Sequence, residues 1–272
     1  VHLRDSVVIV TGASRGIGRA IADRLAAEGS LLVLVARSAG GGGQGQGEGE
    51  GDGPAPRWVT GDVVDPDTAR KAVAAALESF GRLDAVINNA GLGLRAPVWR
   101  IAPEDLRYVL DVNLIGPLNF IRAAVPPMVE RGRGLIVNVS SAVARRPVPS
   151  LGGYAATKAA LLSLSETLRM ELSGTGVEVL SVLPGSVETG FKSAARGEPY
   201  PERPGAVRLE PTDVADRVVR AMAAGRREVA VLSRSERLAL LAGRVAPGLV
   251  EKALLRRYGG GGSPGDGPGQ GV

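Results

Sequence analysis

The amino-acid sequence predicts a doubly wound α/β fold, a single domain in three layers with one parallel sheet between two layers of helices. Three observations predict it. Short β-branched apolar runs alternate with segments of helical period along the chain; the first such run ends in a glycine-rich turn that opens onto a helix; and no stretch repeats another, which argues against a second module. At 272 residues the chain has the size that α/β folds commonly fill as one domain with a full core.

The first element is the run Val7 to Thr11, and it is followed by Ile17, Ile21 and Leu25 at helical spacing and by a second apolar run, Leu31 to Ala36. This is strand, helix, strand. Ser38 to Pro56 is dominated by Gly with Gln, Glu and Asp, and carries too little apolar content to pack. It reads as a flexible insertion at 39–56, standing where a doubly wound domain would carry a crossover helix. Arg57 to Thr60 is a short strand with a helix after Pro66, and Ala85 to Asn88, Leu135 to Ser140 and Glu178 to Leu183 are buried-strand candidates spaced for crossover helices. Near the end, Leu238, Leu241, Val245, Leu249 and Ala253 form an amphipathic pattern with interspersed arginines. Three placements are open to it: on its own core, against a second copy, or on a membrane surface. The domain so defined spans 1–257, and the Gly- and Pro-rich tail, 258–272, is expected to be disordered.

Composition removes several classes of chemistry. With no cysteine there is no disulfide, thiolate ligand or cysteine nucleophile, and with His2 as the only histidine neither a buried histidine base nor a histidine metal cluster is expected. No metal site is predicted, and proton transfer falls to another residue type. The net charge of +5 comes from scattered arginines that usually sit beside acids, as Arg169 does near Glu171, so no nucleic-acid partner is expected. No run approaches the roughly 20 apolar residues of a membrane span. Because the apolar run Val7 to Val10 leads straight into a glycine loop, it does not read as a signal peptide, and a cytoplasmic protein is expected.

Two constellations carry chemistry. Thr11-Gly12-Ala13-Ser14-Arg15-Gly16-Ile17-Gly18 lies between a strand and a helix, where small residues let the backbone approach a pyrophosphate at the helix N-terminus. An acid usually ends the second strand to hold the ribose hydroxyls of NAD, but the sequence here is Val35-Ala36-Arg37-Ser38. Arg37 and Arg15 can instead clamp a 2′-phosphate, which favours NADP over NAD; the plainer reading is two solvated arginines. Asp62, with Val63 beside it, is placed to meet the adenine, the alternative being a cap on the helix after Pro66. The second constellation is Tyr154 and Lys158, four apart on one helical face. A free tyrosine, with its pKa of about 10, is a poor acid or base at neutral pH unless a cation favours the phenolate, and Lys158 can supply one. Ser141, at a strand end, can add a hydrogen bond to a substrate oxygen. Alone, such a pair is more often ordinary helix surface.

Taken together, the glycine motif at Thr11 to Gly18, Asn88-Asn89-Ala90-Gly91, Asn113, Ser141, Tyr154 with Lys158, and Pro184-Gly185 with Thr189 resemble the short-chain dehydrogenase/reductase family, over nearly all of Leu3 to Arg257. The resemblance implies a Rossmann-type sheet and hydride transfer between a nicotinamide and a carbonyl or secondary alcohol carbon of a small or apolar substrate. It implies that Tyr154 is the general acid/base, that Lys158 lowers its pKa and holds the nicotinamide ribose, that Ser141 orients the substrate, and that Asn113 anchors a water relay to Lys158. Gly12, Ser14, Arg15, Gly16, Ile17 and Gly18 would meet the cofactor, as would Asn89, Ala90 and Gly91. Pro184, Gly185, Val187 and Thr189 would cradle the nicotinamide amide. Ser140 rivals Ser141, and the family's serine-to-tyrosine spacing selects Ser141. Asn113 in isolation reads equally as a buried amide satisfying backbone groups. The family places its substrate lid after Thr189, here Gly190 to Leu209 with Phe191 and Tyr200. Its members form dimers and tetramers through the helices that carry Asn113 and Tyr154, so a homodimer or homotetramer is expected. Two alternatives stand beside a carbonyl reductase. One is an epimerase or dehydratase, whose relatives carry a larger substrate domain; the other is a catalytically weak NADP-binding sensor or scaffold, which would need none of Asn113, Ser141, Tyr154 and Lys158.

Overall fold

The structure, a computed structural model, describes residues 2–38, 55–201 and 208–258. The expectations for the Gly-rich stretch at 39–54 and for the tail at 259–272 lie outside the described residues.

The chain begins with β1 (Val7–Thr11), α1 (Gly16–Ala27) and β2 (Leu31–Ala36), at the positions their apolar periods indicate. After them come β3 (Arg57–Thr60), α2 (Pro66–Phe80), β4 (Ala85–Asn88) and the two-residue β5 (Leu94–Arg95). Asp65 caps α2 and Pro66 opens it, a pairing that satisfies one orphan N–H and removes another; Gly81, left-handed at φ 72°, ends it. The helix α3 (Pro103–Leu110) runs through one wide π turn, Asp111–Ile115, into α4 (Gly116–Glu130). Next are β6 (Gly134–Val139), the 20-residue α5 (Gly152–Glu171), β7 (Val177–Pro184) and the two-residue β8 (Arg196–Gly197). The described chain closes with α6 (Pro211–Ala223), β9 (Glu228–Val231), α7 (Arg234–Val245) and α8 (Pro247–Tyr258).

Seven strands form one sheet in the order β3-β2-β1-β4-β6-β7-β9, parallel at every pairing. Successive β1 side chains serve opposite faces. Val8 and Val10 join the cluster that holds Ile21 and Leu25 of α1 and Val214, Val218 and Met222 of α6. Val7 and Ile9 join the one that holds Ala69 and Val73 of α2 and Phe120 and Met128 of α4. The chain winds outward in both directions from β1 and β4, which opens a crevice beyond their carboxyl ends.

The C-terminal segment departs from the expected single helix. Pro247 cannot donate to a continuing ladder and pushes Ala246 to φ −135°, so α7 and α8 form a bent pair. Of its apolar residues, Leu238, Leu241 and Leu249 are 70%, 53% and 70% exposed, while Val250 is buried.

Candidate active site

One cavity of about 510 Å³ lies along the carboxyl ends of the central strands. Its wall includes Gly12, Ser14, Arg15, Gly16 and Ile17 from the glycine loop, Asp62 and Val63 after β3, Asn89 to Gly91 after β4, Ser141, Tyr154 and Lys158, and Pro184, Gly185, Val187 and Thr189 after β7. The sequence motifs therefore converge.

Backbone proximity explains the glycines. Gly12 sits at φ 66°, and a Cβ there would stand 2.9 Å from the Ala90 Cα. Gly18 is buried off the cavity wall, where a Cβ would be driven into Asn89 Nδ2 and the Gly12 carbonyl, so it lets α1 close on the strands rather than touching the cavity. Asn89 Nδ2 donates to the Thr11 carbonyl at 3.0 Å and the Gly12 carbonyl at 3.3 Å, and the Asn89 and Ala90 amides both donate to Thr11 Oγ1 at 3.0 Å. This lattice fixes the loop from below. Arg15, the residue before α1, makes no side-chain cap, which leaves the first-turn N–H groups of α1 to other acceptors.

At the far end, Arg37 follows β2 and, like Arg15, is exposed on the cavity with no acidic partner among the described residues. Asp62 does not cap α2, since Asp65 accepts from the Asp67 amide at 2.9 Å; Asp62 Oδ1 accepts from the Val64 amide at 3.1 Å and its carboxylate faces the cavity.

The structure separates the two serines that follow β6. Ser140 Oγ donates to the Lys158 carbonyl at 2.8 Å and ties the strand end to α5, while Ser141 Oγ donates to the Pro184 carbonyl at 3.5 Å, accepts from the Val143 amide at 3.4 Å and stands beside the Tyr154 phenol. Tyr154 and Lys158 stand one turn apart near the start of α5. Shielding from water pushes the Tyr154 phenol well above the ordinary tyrosine range, the neighbouring Ser141 hydroxyl works against that rise, and Tyr200 adds to it. Burial lowers Lys158 to about 8, and its Nζ donates to the Val139 carbonyl at 2.9 Å.

Asn113 lies fully buried in the π turn and off the cavity wall. Its Oδ1 accepts from the Leu92 amide at 2.8 Å, and its Nδ2 donates to the Leu92 carbonyl and to Thr157 Oγ1, both at 2.9 Å. The buried-amide role read from the sequence is present. A Cβ at Gly91 would stand 3.3 Å from both Asn113 Oδ1 and Lys158 Nζ, so the glycine brings those two groups close to one backbone turn.

Sequence reasoning missed Glu236. Its Oε1 accepts from the Ser186 amide at 2.7 Å, and its Oε2 accepts from the Ser233 amide at 2.9 Å and Ser233 Oγ at 2.8 Å. One carboxylate thus caps α7 and latches the loop after β7; the pattern Ser233-x-x-Glu236 was the available signal. Phe191 packs on Tyr154 with ring centroids 5.5 Å apart, and a Cβ at Gly93 would stand 2.9 Å from the Phe191 ring and 3.2 Å from the Tyr200 hydroxyl. Pairing of β5 with β8 ties this aromatic segment down. The expected lid at Gly190 to Leu209 is described except at 202–207. Among the described residues no cluster of histidine, cysteine or carboxylate could hold a metal ion, and no helix is long and apolar enough to cross a membrane.

The family model for short chain dehydrogenases matches residues 6–199. An uncharacterized oxidoreductase of Staphylococcus epidermidis is 34% identical over 220 residues, 81% of this chain and 92% of that one. Among solved structures, a short chain dehydrogenase from Burkholderia cenocepacia in complex with NADP is similar with a TM-score of 0.78 and 28% identity, covering 94% of this chain and 99% of its own. A short chain dehydrogenase/reductase from Burkholderia phymatum in complex with NAD gives 0.76 and 28%, covering 90% and 96%. Fold and relatives together define an oxidoreductase. The chain belongs to the short-chain dehydrogenase/reductase family.

Proposed function

We propose that this protein is an NADP(H)-dependent carbonyl reductase, acting on a small or apolar carbonyl compound with Tyr154 as the general acid. One observation carries the reading. The Tyr154 phenol and Ser141 line the same cavity as the glycine loop and two arginines that have no acidic partner among the described residues.

The residues present fit a nicotinamide dinucleotide: the glycine loop, Asn89 to Gly91 and the loop after β7 line one cavity, and the α1 N-terminus has no side-chain cap. The bound nicotinamide supplies the hydride. Ser14, Gly16 and Ile17 meet the pyrophosphate, with Gly18 closing α1 behind them; Arg15 and Arg37 hold the 2′-phosphate; Asp62 and Val63 meet the adenine. Asn89, Ala90 and Gly91 face the ribose and nicotinamide, and Pro184, Gly185, Val187 and Thr189 face the amide. Lys158, one of whose three donors is held by Val139, offers the others to the ribose hydroxyls. Ser141 and Tyr154 donate to the carbonyl oxygen and polarise it, and Tyr154 surrenders its proton as charge builds there. A phenol held protonated suits reduction, because oxidation requires its phenolate first. Asn113 supports proton return through Lys158 from the π turn. We place the reaction in the cytoplasm and infer a homodimer through α4 and α5.

The test is paired. Tyr154→Phe is expected to lower turnover of a carbonyl panel by about 100-fold or more while NADPH still quenches tryptophan fluorescence. In the wild type NADPH should bind about tenfold more tightly than NADH, and Arg37→Ala should erase the difference. Ordinary turnover by the phenylalanine variant removes the mechanism. Equal affinities, unmoved by Arg37→Ala, remove the NADP preference and leave the family's chemistry in place.

A further inference from the structure

The same cavity wall that holds Tyr154 also includes the apolar residues Val148, Leu151, Leu240 and Val250, the latter two from α7 and α8. Such a surface asks for an apolar chain. Arg146, five residues after Ser141, stands in the same wall.

The other cations on this wall are occupied or have a place in the reading above. Arg95 holds Glu198 at 3.2 Å and the Pro199 carbonyl at 2.6 Å, Arg208 holds Glu188, and Lys192 lies over the Tyr200 ring at 5.9 Å. Arg15 and Arg37 face the adenosine end, and Lys158 belongs to the reacting centre. Arg146 has no acidic partner among the described residues. Its Nη2 donates to the Pro247 carbonyl at 3.2 Å, and its Nε is buried with no hydrogen-bond partner. The carboxylates on the wall are Asp62, at the adenosine end, and Glu236, both of whose oxygens are already bound. A partly desolvated guanidinium that the protein does not neutralise is stabilised by an anion brought from outside, and its planar donors match a carboxylate.

We propose that Arg146 selects the substrate: a carbonyl compound bearing a carboxylate at the far end of an apolar spacer, an oxo acid whose acidic group meets the guanidinium while its carbonyl reaches Ser141 and Tyr154. This rests on the carbonyl-reductase reading. The carbonyl carbon takes a hydride from the dihydronicotinamide, which is oxidised; the carbonyl oxygen takes the Tyr154 proton; the carboxylate is unchanged, and the product is a hydroxy acid.

The test needs no turnover. Calorimetric titration of the NADP-saturated full chain with 4-phenylbutanoate and with its neutral amide compares two unreactive probes that differ in charge. The acid should bind the wild type at least tenfold more tightly, as a charge-assisted contact in a shielded site requires. That ratio should fall to near one in Arg146→Gln and be partly kept in Arg146→Lys. If Arg146 serves only to hold the α7–α8 turn through Pro247, its loss weakens both probes alike and the ratio stays, which overturns the proposal. Equal binding of acid and amide by the wild type, or binding of neither, overturns it without any variant, so a glutamine variant that does not fold leaves the test intact. An acid preference that depends on Arg146, found beside a carbonyl panel without turnover, supports this site while removing the reductase reading.

Discussion

Lys158 shows at the scale of one residue how this site opposes stability. The residue is 3% exposed, its ammonium is held by one backbone carbonyl, and burial lowers its pKa from 10.5 to about 8. Below pH 8 the folded state carries the buried charge in full. Between about 8 and 10.5 the unfolded chain binds a proton that the folded chain does not, so this group makes stability rise with pH there. The cost at neutral pH is on the order of 3 kcal/mol. Lys158→Met should therefore melt several degrees higher at pH 7, with the gap closing toward pH 10, and should have lost its turnover; denaturant titrations at both pH values check this. A lower melting point at pH 7 would show that the Val139 hydrogen bond outweighs the burial. That Tyr154, Lys158 and Ser141 meet on one cavity was legible because spacing on one helix and a strand end is a local property. The Val139 contact was not, since it depends on how α5 lies against β6. For the same reason the cap on α2, which the sequence offered to Asp62 as its alternative role, falls to Asp65 only once the turn after β3 is known.

Elements were legible where a period persisted and obscure where it was short. β1, β2, β3 and β4 begin and end where their apolar runs do, because each is buried or bounded by Gly, Pro or a polar turn. β9 escaped notice: Glu228–Val231 is a four-residue edge strand, partly exposed, preceded by two arginines, and it carries no alternation long enough to read. With it went the significance of α7, which starts three residues after it ends. Glu236 gives that omission a consequence, because one carboxylate both caps α7 and holds the Ser186 amide of the loop that reaches the cavity. Glu236→Ala removes a cap worth about 1 kcal/mol and leaves the partly buried Ser186 amide unpaired at a cost of about 1–3 kcal/mol. It should lower stability by roughly 2–4 kcal/mol in chemical denaturation and raise the Kd for NADPH several-fold. Glu236→Gln, which keeps an acceptor for either partner, should fall between the two. Loss of stability with an unchanged Kd would mean that the latch does not shape the cofactor site.

At the scale of the whole molecule, periodicity announces that strands exist and says little about their order. The order β3-β2-β1-β4-β6-β7-β9 comes from right-handed crossovers returning each chain segment to a sheet whose two faces must both be covered. What remains uncovered bears on assembly. Ile115 at the end of the π turn and Val129 in the last turn of α4 are 38% and 39% exposed, and fourteen residues of helix place them on one face. Leu118 and Val125, each partly exposed, lie along the same stripe, which presents an apolar seam on a helix that otherwise buries Phe120 and Ala124 inward. Two copies meeting about a two-fold axis there would cover the seam, since a surface that meets itself needs no second complementary patch. Light scattering should then give about twice the 27.9 kDa chain mass. The double variant Ile115→Glu, Val129→Glu would set like charges against each other across the axis and should return the single-chain mass with its circular dichroism unchanged. A wild-type chain of single mass, or a double variant that still associates, places the contact elsewhere, and the exposed leucines of α7 and α8 become the next seam to test in the same way.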